Sequence, residues 1–477
     1  MINFRCRFPR GILGYKRPFR RGLKAWLLSG AIASGAVLVQ DASAETLAET
    51  LVAAYENSNL LEQRRALLRA ADEDVAQAYA TLLPVVNFVT QANTSGPERN
   101  NDDRHWSGSL ALSMDLTVFD NGVTGFAAEA AKETVLGLRA ALIGIEQQVL
   151  LDAVRAYMEV IRATQSVALR ENNVELITEE LRAARDRFDV GEATRTDVSI
   201  AEARLSAARG NLAAAEGDLA VAHETYKAIV GQRPNDLEWP VPVPATADSE
   251  EDAKSVAVRT HPRIKEAQRS VNAAEANVRR AHAARGFNVT TGLNLSIDDQ
   301  SDHSYGAGLR ATLPLYRGGL KSALRQMEAR RNAARAALLQ SVIDVELEVG
   351  TAWAMLRVSA ARTEASMRQV TASRLAYEGV REEARFGSRT TLDVLDAEQE
   401  LLDARSILIG SEVEQYLSRY SLLSAMGVLT AEDLGLGVVT YDPADHYNLA
   451  NSGPRPFGSR SGRGRDLDRV LRALNRQ

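Results

Sequence analysis

Two long stretches of the chain keep apolar residues at helical spacing. No proline interrupts residues 98–233 or 315–442, and apolar residues from Val135 to Val160 recur three and four positions apart, as on one face of a helix. The pattern predicts four long helices, over residues 122–186, 196–230, 319–385 and 390–427. A helix of about 65 residues would be roughly 100 Å long. Each consecutive pair is therefore predicted to form a hairpin several times longer than a small domain.

A different pattern precedes each helical pair. Residues 107–119 and 287–298 alternate between apolar and polar positions, which is the period of a β-strand, and residues 84–93 and 305–315 are weaker partners. Each half is thus predicted to carry one β-hairpin. Strands of about 10 residues that are apolar on one face and polar on the other suit a membrane β-barrel. A half-exposed soluble sheet alternates in the same way.

The two halves contain copies of one sequence. Residues 191–231 align without a gap with residues 387–427, and many residues of the first copy recur in the second. They include Gly191, Thr194, Asp197, Val198, Ala201, Glu202, Leu205, Ala208, Arg209, Glu216 and Gly231. The separation is far longer than a solenoid unit. We therefore expect two half-proteins that need each other to close a core.

Four strands are too few to close a membrane barrel. Single-chain barrels have at least about eight strands, and an open sheet edge cannot lie in lipid because every backbone group must be paired there. Closure therefore requires several copies of the chain. Three copies would supply a ring of about twelve strands in which cyclic symmetry pairs the edges.

The N-terminus has the order of a secretory signal. Eight basic residues occur within the first 44, followed by an apolar run over residues 25–39 and by the small residues Ala42, Ser43 and Ala44. We predict cleavage after Ala44; a membrane anchor would need about 18 or more apolar residues. The domain prediction is a signal peptide (1–44), a first repeat (45–232), a linker (233–254), a second repeat (255–442) and a basic, disordered tail (443–477).

Composition excludes several kinds of chemistry. Removing the signal leaves 49 basic and 61 acidic residues, a net charge of −12, which disfavours nucleic-acid binding. The only cysteine, Cys6, lies in the signal, so the mature chain has neither a disulfide nor a thiol nucleophile. The six histidines lack metal-site spacing, and no phosphate loop occurs. We predict a protein that is not an enzyme and takes no cofactor or metal.

Charge at the second turn is the remaining feature with a chemical role. Asp393 and Asp396 are three positions apart at a predicted helix start and therefore share one face. In a three-fold assembly they would surround one axis and attract cations, as acidic rings do in channels. The alternative is an ordinary solvated helix start, where aspartate favours the positive end of the helix dipole. Asp197, the repeat mate of Asp393, has the same two interpretations.

Two turn motifs and a strand-to-helix join carry a resemblance to a known family. They are RFDVG at residues 187–191 leading to TDV at 196–198, FGSRTTLDVLDAE at 386–398, and LPLYRGG at 313–319. With these motifs, residues 46–440 resemble the TolC-like outer membrane channel proteins, the outer membrane efflux protein family. The resemblance implies a homotrimer with a helical periplasmic tunnel and a twelve-stranded β-barrel in outer membrane lipid. It also implies docking to a periplasmic adaptor and to an inner-membrane ABC or other export pump.

The resemblance also implies roles for individual residues. The helical turns would form the partner-docking tip with Val190, Gly191, Gly387 and Ser388. Arg389 and Asp197 would form a latch that holds the entrance shut, and Asp393 and Asp396 would be the paired pore aspartates. Where many members have an aromatic that reinforces the latch, this chain has Ala384. We therefore expect a closed state that is weaker or held differently.

The export system is predicted from the ends of the mature chain. Residue 45 is Glu rather than a lipidated Cys, and residues 441–443 (YDP) with His446 and Tyr447 follow the last helix. Both features are similar to members that serve type I protein secretion. The alternatives are a multidrug efflux duct, a periplasmic coiled-coil adaptor without a pore, and a structural envelope protein. Adaptors usually present one helical hairpin, whereas this chain is predicted to have two.

Overall fold

The computed structural model describes residues 45–95, 105–240, 247–298, 302–439 and 441. The expected signal peptide, the basic tail and the residues His446 and Tyr447 lie outside the described residues. The helices are α1 (Leu47–Asn57), α2 (Asn59–Ala80), α3 (Val123–Asp189), α4 (Arg195–Val230), α5 (Glu250–Thr260), α6 (Pro262–Ala283), α7 (Leu320–Arg385) and α8 (Thr391–Ala425). The strands are β1 (Val85–Ser95), β2 (His105–Phe119), β3 (Asn288–Asp298) and β4 (His303–Thr312).

The element order is the same in both halves. Each half has two short helices, a β-hairpin and a long helical hairpin, and α3 and α7 contain 67 and 66 residues. The four helices predicted from apolar spacing are confirmed to within a few residues at each end. Gly122 and Gly319 precede α3 and α7 with φ values of 85° and 91°, a left-handed conformation that glycine adopts without steric cost.

The four strands form one antiparallel sheet in the order β1-β2-β3-β4. One row across the sheet joins Phe88, Leu112, Leu295 and Tyr305, so the apolar positions of all four strands share a face. The adjacent row joins Asn87, Ser113, Asn294 and Gly306 on the opposite face. Within the described chain, β1 and β4 are edge strands without an outer partner.

The main apolar core is shared by the two repeats. Tyr157 of α3 and Tyr226 of α4 are fully buried in one cluster with Tyr416 and Tyr420 of α8. Helix α3 packs against α6 and α8 of the second repeat as well as against α4. The expectation that each half needs its twin therefore has a physical basis, because neither repeat supplies all the residues of this cluster.

The segment between the repeats is partly structured. Leu237 forms a parallel bridge with Glu45, and helix α5 begins at Glu250, where Ser249 accepts a hydrogen bond from the backbone N–H of Asp252. The last residues of the predicted linker therefore belong to a helix.

Candidate functional site

The two long hairpins end in turns of the same shape. Gly191 and Gly387 have φ values of 83° and 77°, where any other residue would be strained. Val190 is 72% exposed beside the first glycine, and Phe386 is 85% exposed beside the second. Ser388 closes the second turn, because its backbone N–H and its hydroxyl both donate to the Glu383 carbonyl. Each tip therefore presents a rigid turn with an exposed apolar side chain.

Each turn leads into a helix through the same reciprocal cap. The Thr194 hydroxyl accepts the Asp197 backbone N–H at 3.2 Å, and the Asp197 carboxylate accepts the Thr194 backbone N–H at 2.9 Å. Thr390 and Asp393 repeat this arrangement with the same two distances. Hydrogen bonds from the threonine backbone and side chain lower the pKa of both aspartates. Both carboxylates thus lie in the first turn of a helix, where the helix-start interpretation put them, and each also takes part in a cap.

The residues of the predicted latch have other partners. Arg389 Nε donates to Glu383 Oε2 at 2.8 Å, across the turn of the second hairpin. Asp197 is engaged by Thr194, and the predicted Arg389–Asp197 pair is not formed in the described part of this single chain. The physical reason is local, since each group finds a partner within six residues. Ala384 packs on the apolar cluster between α7 and α8.

Asp396 links the two hairpins. Its Oδ1 accepts a hydrogen bond from Arg204 Nη2 of α4 at 2.8 Å, and both side chains are partly exposed. Ile200 stands at the repeat position of Asp396, so the first hairpin has no equivalent acid. The two predicted pore aspartates therefore differ: Asp393 caps its own helix, and Asp396 is neutralised by an arginine that the sequence pattern did not single out.

Comparison with known proteins agrees with this architecture. The family model "Outer membrane efflux protein" matches residues 50–232 and 255–428. The outer membrane efflux protein BepC of Brucella suis is 35% identical over 456 residues, which cover 92% of this chain and 97% of BepC. This chain belongs to the outer membrane efflux protein family. The family's members and neighbours are channel proteins rather than enzymes.

More distant relatives extend the likeness. The outer membrane protein TolC of Vibrio cholerae is 26% identical over 82% of this chain and 92% of TolC. The crystal structure of the outer membrane protein VceC from Vibrio cholerae superposes with a TM-score of 0.68 at 21% identity, covering 80% of this chain and 96% of VceC. The protein is an outer membrane channel for export, with a helical tunnel joined to a β-barrel. The predictions of fold class, location and export function are confirmed.

Because the family members are membrane channels, the two faces of the sheet can be assigned to lipid and to the channel lumen. Phe88 and Tyr305 are 67% and 87% exposed on the apolar face, which is the face that suits lipid. Asn87, Ser113 and Asn294 lie on the polar face, which suits an aqueous lumen. The helices begin where the sheet ends, and the Phe119 and Phe287 rings stack there with centroids 5.0 Å apart.

A buried polar contact lies near the tip of the second hairpin, and the sequence analysis did not predict it. The Asn173 side-chain amide donates to Glu398 Oε1 at 2.7 Å, which joins α3 to α8. Glu398 is 5% exposed, and burial raises its pKa to about 7. Its other oxygen and the Tyr377 hydroxyl have no hydrogen-bond partner among the described residues, and both residues line a cavity of about 330 Å³. The repeat mate Glu202 is half-exposed, so the two copies place the same residue in different environments.

Proposed function

We propose that three copies of this chain form the closed duct. The observation that carries the proposal is the four-stranded sheet, whose edges β1 and β4 are unpaired within the described chain. Lipid does not tolerate unpaired backbone groups. Pairing β1 of one copy with β4 of the next satisfies both edges, and three copies give a barrel of about twelve strands.

The outer surface of α7 supports the same assembly. Leu339, Ile343, Leu347, Met355 and Val358 are each more than half exposed. The first three are four positions apart, so they form one stripe along the helix. An exposed apolar stripe of this length indicates a protein interface. A helix of the neighbouring copy is the partner that also continues the tunnel wall.

The hairpin tips are proposed to dock the duct to its partners. Val190 and Gly191 of the first turn and Gly387 and Ser388 of the second form the proposed contact surface for a periplasmic adaptor, with an inner-membrane export pump behind it. The exposed Phe386 ring at the second turn supports this assignment, because aromatic residues are enriched at interface centres. The chain itself has no nucleotide-binding motif, so energy would come from the pump.

The entrance is proposed to carry three Asp393 carboxylates held in helix caps and three Asp396 carboxylates paired with arginine. The charge of Asp393 has no cationic partner in the cap, whereas that of Asp396 is balanced by Arg204. The acidic ring would therefore depend mainly on Asp393. The Arg389–Asp197 latch would form only between assembled copies, and Arg389 would first have to leave Glu383.

Ion selectivity in a planar bilayer tests the ring. We expect the purified channel to prefer cations and the Asp393→Asn, Asp396→Asn variant to lose much of that preference. Thr390→Ala is the matched control, because it removes a hydrogen bond of the same cap and leaves both carboxylates in place. Unchanged selectivity in the double variant would rule out the ring. Arg389→Ala should raise conductance if the latch exists, and Glu383→Ala should lower it by releasing Arg389.

We propose type I protein secretion as the export system, on the strength of the non-lipidated residue 45 and the YDP segment that begins at Tyr441. The second candidate is multidrug efflux, which the name of the 35% identical BepC favours. Mass spectrometry of the culture medium after gene deletion distinguishes them. Loss of one or a few secreted proteins supports type I secretion. Increased drug sensitivity with an unchanged set of secreted proteins supports efflux.

A further inference from the structure

Glu45 buries its carboxylate at the start of the first repeat. It is 6% exposed. The Tyr226 hydroxyl and the Gln232 side-chain amide donate to its Oε1 at 2.6 and 3.2 Å. The Asn235 backbone N–H donates to its Oε2 at 3.2 Å. The Thr50 hydroxyl lies 2.8 Å from the Tyr226 hydroxyl and extends the network.

The backbone of Glu45 is held as firmly as its side chain. Its N–H donates to the Asp236 carbonyl at 2.8 Å, and its carbonyl accepts the Glu238 N–H at 3.3 Å. The Tyr157 hydroxyl donates to the same carbonyl at 2.9 Å. Residue 45 therefore ties the chain before α1 to α3, to α4 and to the segment that follows α4.

The carboxylate lacks a cationic partner in this network. Its four donors are the Tyr226 and Thr50 hydroxyls, an amide side chain and a backbone N–H, all uncharged. No salt bridge joins Glu45 to another residue in the described ranges. Burial raises the pKa of Tyr157 to about 12, and the charge of Glu45 adds to the rise. The Tyr157 hydroxyl therefore stays protonated and donates to the Glu45 carbonyl. A buried carboxylate is costly unless a positive charge accompanies it.

The sequence predicts where that positive charge originates. Signal cleavage after Ala44 would convert the backbone nitrogen of Glu45 from an uncharged amide into an α-ammonium group. In the structure this nitrogen already faces a carbonyl acceptor, that of Asp236, at 2.8 Å. The ammonium would keep that hydrogen bond and gain two further donors.

We propose that signal removal completes this site: the α-ammonium created on Glu45 is the counter-charge of the buried Glu45 carboxylate, so the processed N-terminus locks the first repeat. The precursor has the same side chains but lacks the charge. Processing at the inner membrane therefore stabilises the fold before the chain enters the outer membrane. The inference rests on the predicted cleavage after Ala44 and not on the proposed cargo or partners.

Four exported full-length variants test the proposal. One is the parent, and the second has a serine inserted between Ala44 and Glu45, so that cleavage leaves the nitrogen of Glu45 as an amide. The third and fourth carry Glu45→Gln without and with the same serine. Mass spectrometry of the N-terminal peptide of each purified protein fixes its first residue and confirms that the Glu45→Gln chain has not cyclised to pyroglutamate. The half-life of the folded protein in detergent at one elevated temperature is then followed by tryptophan fluorescence, to which Trp239, next to Glu238, contributes together with Trp106 and Trp353.

The test compares the effect of the serine insertion on the half-life in chains with Glu45 and in chains with Glu45→Gln. We expect the insertion to shorten the half-life about tenfold with Glu45 present and less than about twofold in the Glu45→Gln background. Equal shortening in both backgrounds would show that the serine acts by crowding, and would overturn the proposal. So would a parent protein that begins at another residue. If the insertion variant is not recovered from membranes, its recovery on adding Glu45→Gln supports the proposal and continued absence contradicts it.

Discussion

The two hairpin tips share a turn and a cap but differ in the charges above them. Glu202 of the first hairpin is half-exposed and paired with Arg185 across its own hairpin. Glu398, its repeat mate, is buried against Asn173 of the other hairpin. The two copies thus share the local turn, whereas a glutamate common to both copies joins the hairpins only in the second. Those contacts are the ones that movement of one hairpin against the other would have to break.

The largest predicted effect is the pH response of Glu398. Its pKa of about 7 in the fold exceeds the ordinary value of 4.5, so its stabilising contribution is complete below pH 4.5 and is lost as pH rises through 7. The difference between these two pKa values corresponds to about 3 kcal/mol of folding free energy. Glu398→Gln keeps the acceptor for Asn173 and should remove this loss.

Hydrogen exchange at the amides of α8, measured across pH, detects the difference between parent and variant. Glu202→Gln is the control, because it changes the same repeat position on the surface, and its profile should follow the parent. Matching profiles for Glu398→Gln and the parent would contradict the assignment.

The N-caps of the short helices α2 and α6 also differ between the two repeats. Ser58 caps α2 and His261 caps α6, each at the junction with the preceding helix. Burial lowers the pKa of His261 to about 4 from 6.5. Its contribution is therefore complete above pH 6.5 and is lost as pH falls through 4, opposite in sign to Glu398.

The expected loss on acidification is up to about 3 kcal/mol. His261→Asn keeps a capping side chain and removes the titration, so its acid sensitivity should be smaller than that of the parent. Thermal unfolding at pH 7 and pH 4.5 measures this. A variant that loses as much stability as the parent on acidification would show that His261 is not responsible.

The two caps should be equivalent. Thr194→Ala and Thr390→Ala each remove a hydroxyl that accepts an N–H at 3.2 Å, at a cost of about 1 kcal/mol in local stability. Hydrogen exchange in the first turns of α4 and α8 measures both losses. Ser at either position should restore protection, and a loss confined to one tip would show that the shared geometry has different energetic weight in the two copies.

The smallest predicted effect is that of the Arg204–Asp396 link. Both side chains are partly exposed, so the pair should contribute less than about 1 kcal/mol. A double-mutant cycle with Arg204→Ala and Asp396→Ala measures the coupling through the opening of α4 and α8. Arg185 and Glu202, a pair within one hairpin, provide the reference cycle. Of these two pairs, only Arg204–Asp396 joins the hairpins, so only its removal should alter channel conductance.

Much of the architecture could be predicted because it depends on local periodicity. The apolar spacing gave helices that match α3, α4, α7 and α8 closely. Alternation identified β2 and β3, and weaker patterns indicated their partners β1 and β4. The capping role of Asp197 and Asp393 was one of two interpretations available from spacing. The roles of Arg204, Asn173 and Glu45 were not predicted, since a single arginine, asparagine or glutamate carries no periodic signal.

By itself, the sequence determined the helix lengths, the alternating strands and the glycine turns, since each depends on residues a few positions apart. Tertiary structure decided which charges meet. Asn173 and Glu398 are 225 positions apart, and Arg204 and Asp396 are 192 apart. Two copies of one motif can therefore form the same turn while their glutamates have opposite environments, because burial is set by the helix packed against each copy and not by the motif.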